Sequence, residues 1–421
     1  MKVSPAVGAR YARSKRRTDW VAAKHGPIEP LSYSDLGGRP GFKMALHVNG
    51  GRTYLYVAHL WHPGWSVLDV TDPMTPTLVN SWDGPTNTWT LQVTTRQGLL
   101  ATSLEPIQDG WGNDAHAPFE EGVVLWDLSD PIRPRRRGTF RTGHRGTHRN
   151  LFDATGLLHL SARMPGYRGA ILVLVDVSDP DQPCEVGRFH LPGQRAEAGE
   201  HDQREWFDLH GPSIRAGDLA YLPYAAAGLV IVDVSRPERP ELVGHLDLHP
   251  PLASGIAAHT VVPIAGQDLV IVNSEALAER CREPVGFAGF VDVHDPGHPL
   301  LISLFPTPAP PRGAGFHSFC SRGGRFGPHN QHIPTGEPHL FSDQDVCFLT
   351  YFNAGLRVFD VRDPYLVEEI AYIIPHDPVH RYGPLPTELV VQVEDVLVDA
   401  RGIVYFTEKN SGLYVAEWKG L

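Results

Sequence analysis

Cysteine is scarce. Only Cys184, Cys281, Cys320 and Cys347 occur in 421 residues, and no two are spaced as CxxC. That spacing argues against a zinc ribbon and against a disulfide framework, and it points to a reducing cytoplasmic compartment. Cys320 and Cys347 read as small, inert core residues. No run of 18 apolar residues occurs, which predicts no membrane-spanning helix. The basic N-terminus lacks the apolar segment of a secretory signal, so residues 1–28 read as a solvated tail. Positive charge is also short: 37 Lys and Arg face 48 Asp and Glu, a formal net charge of −11. A nucleic-acid partner needs a basic face to neutralise phosphates and is disfavoured. The basic stretch "RPRRRGTFRTGHRGTHR", Arg133–Arg149, reads as an exposed rim. There is no Ser/His/Asp nucleophile pattern, no Walker loop and no GxGxxG after a strand. The glycine cluster "RGGRFG" from Arg322 is a weak phosphate signal.

Helical periodicity is nearly absent too, and a repeat takes its place. The copies are "SVLDVTDPMTPTLV", "VVLWDLSDPIRPRRRG", "LVLVDVSDPDQPCEVG", "LVIVDVSRPERPELVG", "GFVDVHDPGHPLLI" and "LRVFDVRDPYLVEEI". A weaker seventh is "GLYVAEWKG". Asp69, Asp127, Asp176, Asp233, Asp292, Asp360 and Glu417 hold the same place in each. The copies recur about every 58 residues, a period that signals propellers and solenoids. Continuous Val, Ile, Leu and Phe runs read as strands buried on both faces. The D-P-x-x-P segment reads as a turn, with Asp accepting local backbone hydrogen bonds and Pro presetting φ. Two further strand-like runs precede each motif. The reading is therefore all-β: a seven-bladed β-propeller of four-stranded antiparallel blades spanning residues 1–421. The seventh motif stops at Leu421 without an outer strand. A segment near Glu29–Asp35 is expected to supply it and close the ring. Long loops are expected at 105–121, 190–204, 274–285, 306–325 and 376–386, where binding surfaces tend to sit.

On "LVIVDVSRP" and "LVLVDVSDP" the chain resembles the LVIVD-repeat family of β-propellers, over roughly residues 40–420. The resemblance implies the propeller fold. It implies no single activity, because fold does not fix chemistry.

The first strand of a propeller blade lines the central channel. Counting back from each second strand puts His148 eight residues before Gly156 and His210 eight before Asp218. His259 takes the same place with one extra loop residue. In the sixth blade His329 or His332 fills it, and in the seventh Glu394 does. The first two blades put Ala45 and Thr90 there, with His47 on the face of Ala45. Imidazoles converging on one axis suit Fe(II), Cu, Mn or Zn, with Fe(II) the leading expectation. Glu394 would be a ligand or an acceptor that orients an imidazole N–H, and Asp153, Asp208 and Glu205 are further acceptors of that kind. His159, His190, His245, His298 and His380 read as surface or loop residues, and the motif aspartates as structural.

This set of channel histidines is similar to the iron centre of carotenoid cleavage oxygenases. Selenium-binding proteins and methanethiol oxidases share a propeller with channel histidines. The similarity implies a metal-dependent oxidoreductase, a mononuclear non-haem Fe(II) oxygenase taking O2 and a small organic substrate. Trp111, Phe207, Phe316, Phe319 and Phe352 would pack that substrate. Two other readings stand beside it: a non-catalytic binding or scaffold propeller, and a metal-dependent lyase or hydrolase at the same site.

Overall fold

The computed structural model describes residues 18–197, 204, 207–250, 252, 255–284 and 286–420. Seven antiparallel sheets form the seven blades of a propeller. In blade 4, Ile214–Ala216, Leu219–Pro223, Leu229–Asp233 and Glu241–Leu246 run from the channel outward. The quoted motif supplies the third and fourth strands. The inner strand of blade 2 is split into Thr88–Trp89 and Val93–Arg96, both paired with Leu99–Pro106. That of blade 6 shrinks to a bridge between Gln331 and Leu349. Inner strands of neighbouring blades touch around the ring. Met44–Asn49 of blade 1 lies against Val93–Arg96 of blade 2 on one side and Val393–Val398 of blade 7 on the other.

The motif aspartates fix the turns. Asp69, Asp127, Asp176, Asp233, Asp292 and Asp360 each accept the backbone N–H two residues ahead, at 2.7–3.1 Å. Each turn then docks on the outer strand of the blade before it. Gly138 donates its N–H to the Pro180 carbonyl at 2.7 Å. A Cβ on Gly187 would lie 2.1 Å from the Pro237 oxygen, and one on Gly244 only 1.9 Å from that of Pro296. Only glycine lets the backbones approach this closely. Elsewhere a side chain reaches across: Asn80 to the Ile132 carbonyl, Ser303 to that of Pro364, and Ser32 to that of Pro73.

The ring closes as expected. Ile28–Ser34 is the outer strand of blade 7, with Ile28 opposite Trp418. The expected tail holds a second strand, since Val21–His25 extends blade 6 along Glu368–Pro375. Trp20 anchors this entry, with its ring centroid 4.9 Å from that of Tyr414. Residues 1–17 lie outside the described part.

The cysteine expectation is corrected. Cys281 and Cys320 form a disulfide across 39 residues of sequence. Each sits on a long loop of a different blade, so short-range spacing carried no sign of the pair. Cys184 and Cys347 are free thiols, and burial pushes the Cys347 thiol up to about 12.

Ile28 is fully buried at the seam, whereas Val48 is exposed. Ile28→Ala should lower stability by about 3 kcal/mol in denaturant melts, the usual cost of emptying a core site. Val48→Ala should leave the midpoint unchanged, and equal losses for both would contradict the closure.

Candidate metal centre

Irregular backbone delivers the channel side chains. In blade 3, Thr147 pairs with Ala162 and Arg149 with Ser161, so His148 is the extra residue of a β-bulge. Alternation would send His148 and Arg149 to opposite faces. The bulge lets both line the central cavity. The register also slips between Ile256 and Thr260 around His259, and between Val393 and Val396 around Glu394. His210 and His329 precede regular pairing. Their N–H groups donate to the Pro223 and Thr350 carbonyls at 3.1 and 2.9 Å.

The four imidazoles form an arc. Ring centroids are 4.8 Å apart for His148 and His210, 5.2 Å for His210 and His259, and 4.5 Å for His259 and His329. Phe352 stacks on His329 at 4.7 Å. His332 points elsewhere. Its Nε2 meets the Phe341 carbonyl at 2.8 Å and its Nδ1 accepts the Val398 N–H, so it belongs to the packing of blades 6 and 7.

Three carboxylates serve the arc. Glu105 meets His148 Nδ1 at 2.7 Å, and Glu394 meets His329 Nδ1 at 3.1 Å. An imidazole that donates from Nδ1 keeps a lone pair on Nε2 for the centre. Glu275 sits among the Nε2 atoms: 3.2 Å from that of His210, 3.6 Å from that of His259 and 3.8 Å from that of His329. His210, His259 and Glu275 each offer one ligand atom within 4.8 Å of the others. His259 Nε2 is fully buried and has no hydrogen-bond partner.

Burial and charge tune these groups. Burial, reinforced by Arg149, holds His148 down to about 4 against the opposing pull of Glu105. Burial also holds His259 well below the usual histidine range, with His329 adding to it. Both are therefore neutral, the form that ligates metals. Burial would raise Glu275, but the facing His329 and the hydrogen bond from His210 hold it well below the carboxylate range. Glu394 is held at about 2 because Lys409 and His329 outweigh its burial.

The centre opens into a cavity of about 370 Å3. One wall is apolar, from Phe42, Leu60, Trp89, Leu91 and Trp111. Arg145, Arg149, Arg163, Arg325 and Lys409 also face it. The basic stretch expected as an exposed rim is thus divided. Arg137 bonds Asp181 on the outside, Arg145 stands exposed at the cavity rim, and Arg149 is buried against the cavity.

Other expected residues disperse. Asp153 joins a separate network, with Arg215 Nη1 at 3.1 Å and His159 Nε2 at 3.3 Å. His159 is buried there, not at the surface. Asp208 lies behind the centre, 3.6 Å from Arg163, which also bonds Glu105. Glu205 lies outside the described residues. Blades 1 and 2 contribute Phe42, Trp89 and Leu91 in place of Ala45, His47 and Thr90. Of the expected aromatic contacts only Trp111 lines the cavity. Phe207 packs toward Tyr224, while Phe316 and Phe319 pack on each other. Glu105 and Glu275 were missed. Each ends a second strand, as in "LLATSLEP" and "LVIVNSE", and a charge closing an apolar run was the available signal.

Residues 41–84, 167–190 and 216–247 match the LVIVD repeat model. The chain thus carries LVIVD repeats over those residues, set in a seven-bladed propeller. Among solved structures this LVIVD propeller is similar to a protein from Lactobacillus plantarum, at 13% identity and TM-score 0.52, over 79% of this chain and 88% of that one. It is also similar to the WD40 β-propeller domain of Doa1, at 8% identity and TM-score 0.51, over 94% and 97% of the two chains. At such identities the likeness shows the fold alone. No curated protein matches the chain.

Burial would raise Asp153, but His159, Thr155 and Arg215 hold it well below its ordinary value. A depressed carboxylate stabilises the fold in full above its unfolded pKa, about 4, and the benefit fades as pH falls from there toward the folded value. Asp153→Ala strands Arg215 and should cost about 3 kcal/mol at pH 7. The gap to the unaltered protein, read from urea melts, should shrink steadily below pH 4. A pH-independent gap would contradict the ion-pair role.

Proposed function

We propose that this LVIVD propeller is a metal-dependent oxidoreductase. It would hold one Fe(II) and oxidise a small organic substrate with O2. The observation that carries the reading is the donor set. Two imidazoles and one carboxylate, from His210, His259 and Glu275, converge within 4.8 Å. His148 and His329 flank them on the same arc. Two histidines and a carboxylate with open positions suit non-haem Fe(II) oxygenases, and Zn, Cu or Mn accept the same atoms. The orphaned, fully buried Nε2 of His259 fits a metal ligand better than a packing residue.

A bound Fe(II) would supply a redox centre with positions for O2 and substrate. The protein's part is to prepare the ligands. Glu105 and Glu394 fix the tautomers and ring planes of His148 and His329. Glu275 stands where it can ligate or withdraw toward Arg325, 3.1 Å away. The apolar wall keeps bulk water from one side of the cavity. A second reading, a binding propeller in which Glu275 itself satisfies the histidines, rests on its 3.2 Å contact with His210. The Cys281–Cys320 bridge favours an oxidising compartment over the reducing cytoplasm. No described helix is long and apolar enough to cross a membrane.

Elemental analysis of protein purified without a histidine tag should find about one metal per chain. His259→Ala should abolish it. Metal-free protein, or a variant that keeps its metal, would sink the reading in favour of the binding propeller.

Gly211 offers an indirect test. A Cβ there would lie 1.8 Å from the His259 carbonyl oxygen and 2.6 Å from Pro223. Gly211→Ala should push His210 from His259 and cut metal content by more than half, while Gly315→Ala, with open space around it, should not. Full occupancy in both variants would show that the close approach does not position His210.

A further inference from the structure

We propose that the cavity takes a small aromatic carboxylate, its ring on the tryptophan wall and its carboxylate on Arg149. The inference rests on the metal reading, because the charge balance depends on it.

The buried cations around the centre are paired, with one exception. Lys43 meets Asp395 at 2.6 Å, and Lys409 meets Glu394 at 2.6 Å. Arg325 meets Glu275 at 3.1 Å. Arg163 is shared by Glu105 and Asp208, at 3.1 and 3.6 Å. Arg149 is only 2% exposed, yet no carboxylate among the described residues lies within ion-pair distance. Its one hydrogen bond goes to the His148 carbonyl at 3.1 Å, its Nε has no hydrogen-bond partner, and its guanidinium lies over the Phe42 ring, 5.4 Å from the centroid, with no anion beside it. A guanidinium buried in that state is costly until an anion reaches it.

Counting the whole cluster gives the same sign. Five cations (Lys43, Arg149, Arg163, Arg325, Lys409) face five carboxylates (Glu105, Asp208, Glu275, Glu394, Asp395). The sum is zero with neutral imidazoles. A dication on the histidine arc would leave an excess of two positive charges, with Arg145 adding another at the rim. A carboxylate ligand offsets that excess and matches the planar fork of arginine.

The apolar wall selects the rest of the molecule. Trp89 and Trp111 have ring centroids 5.2 Å apart in a T-shaped pair, and Trp61 backs Trp111 at 4.5 Å. The cavity volume of about 370 Å3 suits a ligand with one ring. Aromatic faces and a guanidinium without a carboxylate together describe an arylcarboxylate better than a lipid or a sugar.

Isothermal titration calorimetry on the full chain, with metal content measured on the same sample, tests this. Phenylacetate should bind at least tenfold more tightly than its neutral isostere phenylacetamide, and at least tenfold more tightly than acetate. Arg149→Gln should erase the preference for the acid over the amide. Trp111→Ala should weaken phenylacetate and leave acetate unchanged. Should Arg149→Gln fail to fold, Arg145→Gln serves, with a several-fold loss for phenylacetate and none for the amide. Metal-loaded protein that binds acid and amide equally would overturn the ligand class alone. Metal-free protein that still prefers phenylacetate would overturn the metal centre and leave the ligand class standing.

Discussion

The docking of each D-P-x-x-P turn on the preceding blade's outer strand sets everything inward of it. The turn is rigid because its aspartate is locked to the backbone two residues on. The receiving strand is close because glycine, or a short polar side chain, stands opposite. Repeated around the ring, this contact fixes the angle between blades. That angle decides where the inner strands meet. Four histidines from four sheets become neighbours only because the outer contacts are uniform. The motif is therefore frame, and the chemistry lies in the segments between its copies.

Within that regular frame the centre is assembled from irregularities. His148 is the extra residue of a bulge, and His259 and Glu394 sit where pairing slips. A regular strand would point every second residue away from the axis. Breaking the alternation lets adjacent residues such as His148 and Arg149 serve one cavity. The cost is an inner edge with fewer ladder hydrogen bonds. Buried ion pairs around the arc, such as Lys409 with Glu394 and Lys43 with Asp395, supply order there instead. Each charge in such a cluster is tolerable only while its partner remains, so first contacts and supporting pairs form one coupled unit.

The fold was legible because its information is periodic. Six copies of a strand–turn–strand pattern average out local noise, and the missing outer strand of the last copy pointed to a segment near Glu29–Asp35, within a residue of the strand Ile28–Ser34. The same ruler placed His148, His210, His259 and His329 together. It left His332 open because the blade 6 inner strand is nearly absent and offers no register. Glu105 and Glu275 escaped because they lie at the ends of second strands, not on the inner strands whose register the motif sets. Asp153 and His159 misled in the opposite way: one was expected to serve the centre and the other to lie at the surface, yet they pair with each other inside blade 3, against Ser213 and Arg215 of blade 4. The Cys281–Cys320 pair was invisible because it joins loops of different blades, and loop conformation has no period to read.

The seam between Ile28–Ser34 and Gly412–Trp418 has a kinetic meaning. The earlier strand must wait for residues made almost four hundred positions later. During synthesis, blades 1 to 5 can form in sequence from local hairpins, each stacking on the last. Blades 6 and 7 each borrow their edge from the segment Val21–Ser34, so that segment stays unpaired until Glu368–Pro375 and Gly412–Trp418 have been made. Closure is then the pairing of the greatest sequence separation in the molecule, and such pairings form slowly. Until it occurs, the nascent chain presents two open strand edges at once, and a chaperone would find its substrate there.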